Sequence, residues 1–445
     1  MADARPATPQ PLWALVPAAG RARYLRRTAT AILDELEDLA DVLADTVGQP
    51  RTEAILAELL PSVGGLHDLA DHGARALRDR RLGRIPALRA GRRSLLVSAP
   101  RGTVGIRGGR SSPWVEPVLE TGAALLAGNA VVLSTPMGDR VRRAFERGGV
   151  PLELIALAAP EDDLAALADH IVDTRPPREK GTMLVLDRAP LDRTATGALW
   201  AAFAGGGRHR AAVGRLVVVP SVAEPLIAAV VAGAERLRPG DPREPETEVG
   251  PLRSPETRRR VEALVAAAVA DGATLLCGGP RELAGVASTF YAPAVLRGVP
   301  PDARLLREPV PGPVLAVVEA ATEEEAIALA AGGPAVSVWA GDRARGERVA
   351  RTLGAEVAWV NEHGHSIPGA AVRLAGHVDS RRLASQPTRL RSARWLPYDP
   401  ALVRASTATA RLQHGRENER LGVLRAGAVP LARTAVRLAR EALGR

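Results

Sequence analysis

Apolar residues recur along this chain with two different periods, and the change between them marks out the predicted elements. Residues 21–60 are predicted to be helical, because apolar side chains lie three and four positions apart through 25–47, and a second helix is predicted over 53–80. Further on, short apolar runs such as AVVLSTP and TMLVLD alternate with helical patterns of ten or so residues. Strands that alternate with helices predict βαβ units and largely parallel sheets.

The segment 254–272 carries the clearest helix signals. Ser254 can cap the helix, Pro255 suits its first position, and Gly272 can end it. The spacing predicts a buried stripe made of Val261, Leu264, Val265 and Ala268.

The strand and helix alternation occurs twice, which predicts two α/β halves. Before the first half, RRSLLVSAPRGTVGIR predicts two short strands around a Pro-Arg-Gly turn, so a hairpin is expected at 91–106. The tail from residue 398 shows an Arg-rich amphipathic helical pattern and no strand pattern.

The formal charge of +9 would suit a nucleic-acid ligand. Lys180 is the only lysine, however, and the arginines are scattered along the whole chain. Aromatic residues make up only 3% of the sequence, too few for a platform on which bases stack. Polyanion binding is therefore kept as a third hypothesis, and no nucleic-acid partner is expected.

The single cysteine, Cys277, excludes an intrachain disulfide and a C-x-x-C metal site. No apolar run is long enough to span a bilayer, and the first residues lack the features of a secretory signal. These observations predict a cytoplasmic protein with no membrane partner and no metal.

Four collinear segments resemble the aldehyde dehydrogenase superfamily over residues 20–365. They are PRGTVGIRGGRSSPWVEPVLETGAALLAGNAVVL, VLDRAPLDRTATGALWAAFAGGGRHRAAVGR, EVGPLRSPETRRRVEALVAAAVADGATLLCGG and the run from YAPAVL to VAWVNEHG. The resemblance implies an α/β, aldehyde dehydrogenase-like fold: two three-layer α/β domains, with a reduced Rossmann-like cofactor domain and an oligomerisation hairpin.

The same resemblance implies the domain boundaries. Residues 1–180 would hold the N-terminal helices and a truncated cofactor-type domain that includes the hairpin, and 181–365 a catalytic-type domain. Residues 366–397 would be a degenerate segment with an oligomerisation strand near 387–396, followed by the helical tail 398–445.

The family binds NAD or NADP and attacks an aldehyde with a cysteine thiolate, and its nucleophile pattern can be placed on this chain. Phe203, Gly207 and Arg215 fit the frame of that pattern. Within the frame, the cysteine position is held by Arg210. A guanidinium stays protonated at ordinary pH and cannot attack a carbonyl carbon.

The resemblance also locates the two groups that assist the thiolate. Counting back from Lys180, the glutamate that activates water falls on Pro176, which has no proton acceptor. The asparagine that stabilises the oxyanion falls on Ser111, whose hydroxyl is shorter.

The family's cofactor residues are replaced as well. The lysine that holds the adenosine ribose corresponds to Ser134, and the ribose-binding glutamate and its companion phenylalanine correspond to Pro309 and Pro311. Only residues 175–182 separate two predicted strands, and a parallel crossover needs about a dozen or more residues. A helix that would present its N-terminus to the pyrophosphate is therefore predicted to be missing.

These replacements predict a pseudoenzyme that needs no cofactor and acts by forming a homo-oligomer or a hetero-oligomer with an active relative. A relic of a lost activity would leave the same sequence. The alternative is an oxidoreductase that acts on aldehydes with NAD or NADP, or with remodelled chemistry in the same tunnel. For that alternative the candidate bases are His209, His363 and His365.

Overall fold

The computed structural model describes residues 10–81, 93–175, 180–208, 211–280, 289–300, 302–364 and 370–385. The chain forms two compact units: Met1–Ala76 with Pro100–His377, and Leu77–Ala99 with Val378–Arg445. The domain boundaries expected after residues 180, 365 and 397 stay predictions.

The N-terminal region of the larger unit is helical. Its elements are α1 (Gln10–Leu15), α2 (Ala18–Asp34), α3 (Leu36–Val47), α4 (Arg51–Glu53), a π-helical segment (Ala54–Leu59) and α5 (Leu60–Ala76). Helices α2 and α5 pack against each other and bury Leu25, Ile32 and Leu66. The two predicted helical regions are thus confirmed, although α2 and α3 divide the first of them at Glu35.

A four-stranded parallel sheet follows, with the strand order β5-β4-β3-β6. Its strands are β3 (Thr103–Arg107), β4 (Ala130–Ser134), β5 (Ile155–Leu157) and β6 (His170–Asp173). Its helices are α6 (Val115–Ala127), α7 (Gly138–Arg147) and α8 (Leu164–Leu167). The carboxyl ends of β3, β4 and β6 meet at one edge, where Arg107, Ser134 and Asp173 lie.

A second sheet has seven strands in the order β13-β12-β7-β8-β11-β10-β9, and only β9 is antiparallel to its neighbour. Its strands are β7 (Gly181–Val185), β8 (Val213–Val218), β9 (Thr274–Pro280), β10 (Tyr291–Arg297), β11 (Val314–Glu319), β12 (Ala335–Trp339) and β13 (Val357–Val360). Its helices are α9 (Leu191–Phe203), α10 (Pro220–Arg236), α11 (Pro255–Ala270), α12 (Arg304–Arg307), α13 (Glu323–Ala330) and α14 (Arg343–Thr352).

Helices cover both faces of this sheet, as a three-layer domain requires. Alternate residues of β10 belong to two different buried clusters: Val295 packs with α9 and α10, whereas Ala294 and Leu296 pack with α11. Strand β9 lies at one edge of the sheet and has several exposed residues.

Helix α11 begins and ends as its sequence predicts. The hydroxyl of Ser254 accepts a hydrogen bond from the amide of Thr257 at 3.2 Å, and Pro255 is the first helical residue. The predicted stripe is buried in full (Val261, Leu264, Val265 and Ala268).

The smaller unit contains a three-stranded sheet with the order β1-β2-β14, made of β1 (Arg80–Arg81), β2 (Arg93–Pro100) and β14 (Val378–Ser385). The hairpin expected at 91–106 was wrong in its pairing, because β2 pairs antiparallel with β1, whereas β3 pairs with β4 and β6. The strand expected at 387–396 and the tail 398–445 lie outside the described residues. A last helix, α15 (Ala370–Ala375), belongs to the larger unit.

A span of the membrane would require a long apolar helix, and the described part of the chain contains none.

Candidate functional site

The loop that follows α9 carries the residues that the sequence resemblance predicts to form the nucleophile loop. Gly205, Gly206 and Gly207 have φ angles of 63°, 62° and 68°, a backbone that side chains other than glycine rarely adopt. A Cβ atom at Gly207 would lie 2.4 Å from the carbonyl oxygen of Gly312, so the two backbones meet here without room for a side chain. Arg208 folds back over the loop, and its Nε donates to the carbonyl of Gly205 at 2.9 Å.

A buried carboxyl group from the N-terminal helices reaches this loop. Glu53 accepts a hydrogen bond from the backbone amide of Gly205 and one from Gln49 Nε2 at 2.8 Å. Burial raises the pKa of Glu53, and the nearby guanidinium of Arg208 opposes that shift. The backbone of the loop is therefore hydrogen-bonded to a buried carboxyl group of the protein itself.

The N-terminus of α6, which follows the predicted oxyanion position Ser111, is also engaged by a carboxyl group. Glu58 is fully buried and accepts hydrogen bonds from the amides of Trp114 at 3.1 Å and Val115 at 2.7 Å. Burial outweighs these two donors and raises the pKa of Glu58 to about 8. Ser111, the residue at the asparagine position, is half-buried just before this turn.

The π-helical segment explains why two acidic residues five positions apart both point inward. In an α-helix, residues that far apart lie on different faces. The wider i→i+5 turn of Ala54–Leu59 brings Glu53 and Glu58 close to the same face. The sequence analysis missed both residues. The signal available was a pair of glutamates among apolar residues in EAILAELL.

The carboxyl edge of the smaller parallel sheet carries Ser134, which the sequence resemblance predicts to stand at a cofactor position. Ser134 ends β4 there, and Arg175, just after β6, forms an ion pair with Asp173 at 2.6 Å. The same arginine lies 3.3 Å from the position of a Cβ atom on Gly109. The hydrogen bond from Arg175 holds the pKa of Asp173 below its usual value.

Strands β6 and β7 are not neighbours in one sheet, so the prediction of a short parallel crossover between them was wrong. Strand β6 is in the four-stranded sheet and β7 in the seven-stranded sheet. The crossover rule therefore does not apply to this connection. Residues 174–180 alone join the two strands, which remains too short for a helix of the usual length of about 11 residues.

A cavity of about 120 Å³ lies at the amino ends of β7, β8 and β11. Its lining includes Lys180, Arg215, Leu306, Arg307 and Glu308. Lys180 Nζ donates to the carbonyl of Gly312 at 2.8 Å, and burial lowers the pKa of this amine to about 7. The sequence analysis used Lys180 only as a marker of the family pattern, although a single lysine in an arginine-rich chain was a signal.

The remaining replaced positions are only partly described by the structure. Pro309 is exposed and Pro311 is half-buried in the loop before Gly312. Arg210 and Pro176, the residues at the nucleophile and base positions, lie outside the described residues, so their predicted roles stay predictions.

The alternative chemistry depended on three histidines, of which the structure describes one. The ring of His363 packs on Trp359 with their centroids 4.7 Å apart, while His209 and His365 lie outside the described residues. Cys277 is buried in β9. Across the described ranges, no group of three or more His, Cys, Asp or Glu residues could hold a metal ion.

The amino-acid sequence of this chain is similar to those of a known protein family and of several of its members. The sequence model described as "Aldehyde dehydrogenase family" matches residues 1–166 and 180–381. A chloroplastic aminoaldehyde dehydrogenase from Arabidopsis thaliana is 26% identical over 389 residues, which cover 78% of this chain and 76% of the relative. The NADP⁺-dependent succinate-semialdehyde dehydrogenase of Deinococcus radiodurans is 27% identical over 408 residues, which cover 82% of this chain and 83% of the relative.

Solved structures show the same fold. An NAD-dependent benzaldehyde dehydrogenase from Corynebacterium glutamicum superimposes with a TM-score of 0.75 at 22% identity, covering 85% of this chain and 87% of the other. The NAD⁺ complex of an aldehyde dehydrogenase from Bacillus cereus gives a TM-score of 0.75 at 21% identity, covering 84% of this chain and 85% of the other. The α/β fold inferred from the sequence resemblance is therefore confirmed.

Proposed function

This chain belongs to the aldehyde dehydrogenase family, and from that premise we propose that it is a catalytically inactive member that acts by associating with another subunit. The observation that carries the proposal is the residue at the nucleophile position, Arg210. Its guanidinium has no lone pair to offer a carbonyl carbon at ordinary pH, so no thioester can form there.

The surroundings of the nucleophile loop support the same conclusion. The Gly205 amide donates to Glu53, and Arg208 caps the Gly205 carbonyl. At the two assisting positions, Pro176 has no proton acceptor to activate water, and Ser111 replaces an amide donor with a shorter hydroxyl. Loss of one oxyanion donor alone costs an enzyme roughly a hundredfold or more in rate.

We further infer that NAD and NADP are not cofactors of this chain, because the residues present do not fit a dinucleotide. Ser134 offers a neutral hydroxyl where the family has a lysine, and Pro309 and Pro311 offer neither a carboxylate nor an aromatic ring. At the edge of the sheet, Arg175 is already paired with Asp173. The connection from β6 to β7, residues 174–180, is too short for a helix of the usual length of about 11 residues, whose N-terminus could receive a pyrophosphate.

Association through the smaller unit would give such a chain a function. Strand β14 is the last strand of the sheet order β1-β2-β14, and Leu383 on it is 50% exposed. An edge strand with an apolar side chain can pair with another chain. The family resemblance implies oligomerisation through residues 91–106, which include β2 of this sheet, and through a strand near 387–396. We therefore propose a homo-oligomer or a hetero-oligomer with an active relative.

The loss of chemistry is tested by restoring the thiol. We expect Arg210→Cys to show no aldehyde-dependent reduction of NAD or NADP, because the base and the cofactor contacts remain replaced. Titration of the unaltered chain with either dinucleotide should give no binding heat by calorimetry, with an active aldehyde dehydrogenase as the positive control. Turnover by the variant, or binding heat from the unaltered chain, would show that the cofactor site is intact.

The association surface is tested by a charge on β14. We expect Leu383→Asp to shift the protein from an oligomer to a monomer in analytical ultracentrifugation, because a carboxylate would be buried at the interface. The matched control is Leu275→Asp, which changes a 38% exposed leucine on β9, the edge strand of the seven-stranded sheet. A monomeric unaltered chain, or equal dissociation by both variants, would contradict the proposed surface.

A further inference from the structure

The only lysine of the chain lines the cavity at the amino ends of β7, β8 and β11. Each of the other basic residues in the sequence, apart from histidine, is an arginine, whose guanidinium cannot act as a nucleophilic amine. Lys180 is therefore the one side chain of the sequence that could react as a primary amine, and it lies beside a cavity.

We propose that Lys180 captures small aliphatic aldehydes as a reversible imine in the cavity that it lines. This inference concerns aldehyde binding without oxidation. It therefore goes beyond the proposed loss of dehydrogenase activity and does not depend on any nucleotide.

The environment of the amine supports this chemistry. The hydrogen bond from Nζ to the Gly312 carbonyl fixes one N–H and leaves the lone pair directed away from that oxygen. Glu308, the acidic residue of the lining, is engaged by Arg304 at 2.7 Å and by Arg260 at 3.8 Å. Because burial lowers the pKa of Lys180 to about 7, a large share of the amine is uncharged at neutral pH.

The cavity sets the size of the aldehyde. Its volume of about 120 Å³ is a little smaller than the ~150 Å³ of an engineered cavity that holds one benzene molecule. Leu305, Leu306 and Val310 give one part of the lining an apolar surface that suits a short alkyl chain, and the larger part of the lining surface is polar. A molecule of a few carbon atoms is therefore the expected ligand.

The reaction balances without an oxidant. The neutral amine adds to the carbonyl carbon and gives a carbinolamine, which loses one water molecule to form the C=N bond. Addition of water reverses both steps and returns the amine and the aldehyde. Nothing is oxidised or reduced, so the proposal needs no thiol and no dinucleotide.

Borohydride trapping of propanal on the intact chain tests this inference. The protein has two kinds of amine only, Lys180 and the α-amino group, so each propyl label can be assigned by peptide mapping. We expect the labelling of Lys180 at pH 7 to saturate with propanal and to exceed its labelling in urea by at least about tenfold in initial rate, since an unfolded lysine titrates near 10.4 and is almost wholly charged at this pH. The α-amino group should show neither saturation nor this difference.

Two variants separate the amine from the cavity. Lys180→Arg should carry a propyl label on the α-amino group only. Leu306→Trp should still be labelled at Lys180, but this labelling should no longer saturate with propanal. Circular dichroism checks that each variant folds. Equal labelling rates of Lys180 in the folded chain and in urea would overturn the proposal, whatever the variants do. Such a failure would leave the proposed loss of dehydrogenase activity intact, because no dinucleotide enters this assay.

Discussion

Replacing Glu120 by alanine is expected to lower the free energy of unfolding by about 3–5 kcal/mol, the usual cost of breaking a buried ion pair by removing one partner. Glu120 on α6 contacts the guanidinium of Arg373 on α15, and its other oxygen lies 2.6 Å from His377 Nε2. The side chain of Arg373 is only 2% exposed, and that of His377 is fully buried. Without Glu120, Arg373 would retain only Glu116, at 3.1 Å, as an acidic partner.

The pKa of Glu120 reflects the same contacts. Burial alone would raise it, but His377 and Arg373 together hold it below its usual value. A carboxyl whose pKa is lowered in the folded state stabilises the protein above its unfolded pKa and loses that effect as the pH falls through the folded value. The cost of Glu120→Ala should therefore be greatest near neutral pH.

Urea denaturation followed by circular dichroism measures this cost. The control is Asp71→Asn, which removes the partner of Arg26 in a solvent-exposed pair and should leave the denaturation midpoint unchanged. If Glu120→Ala and Asp71→Asn gave the same midpoint, the buried network would not be what holds α15 against α6.

Replacing Glu58 by glutamine is expected to remove much of the pH dependence of stability between about pH 5 and 8. The pKa of Glu58 is about 8 in the folded chain against an ordinary value of 4.5, so the folded chain holds a proton in this window that the unfolded chain does not. Stability therefore falls as the pH rises through the window. Glutamine keeps an oxygen for the amides of Trp114 and Val115 but does not titrate.

We expect the stability of Glu58→Gln relative to the unaltered chain to increase by about 2–5 kcal/mol from pH 5 to pH 9, from the free energy of a shift of this size. Thermal unfolding at several pH values would show it. Ser62→Ala is the control, because it removes the hydrogen bond that Ser62 accepts from Trp114 Nε1 but no titratable group. It should lower stability equally at every pH. Parallel pH profiles for Glu58→Gln and the unaltered chain would contradict the raised pKa of Glu58.

Much of the fold could be predicted from the sequence because it depends on local patterns. The capping of α11 by Ser254 and the burial of its stripe follow from residues within one helix. The pairing of β2 could not be predicted in this way. The turn at Pro100 to Gly102 resembles that of a hairpin, yet β2 pairs with β1 and β3 pairs with β4. The partner of a strand depends on the positions of segments that are distant in the sequence.

For the candidate site as well, the sequence predicts the residue types, whereas their contacts are visible only in the tertiary structure. A family pattern assigns Arg210, Pro176 and Ser111 to the positions of the chemistry, because such a pattern depends only on residue type and spacing. The pattern does not show which residues contact those positions in the folded chain.

By itself, the sequence determined the α/β architecture and the two ends of α11, and it predicts that no thiol stands at the nucleophile position. Only the tertiary structure decided that a π-helical turn directs Glu53 and Glu58 inward, and that the single lysine lies at a cavity. The physical reason is that the pKa and the contacts of a buried group depend on neighbours far away in the chain, as when Glu53 meets Gly205 and Lys180 meets Gly312. The local periodicity of apolar residues does not indicate such long-range contacts.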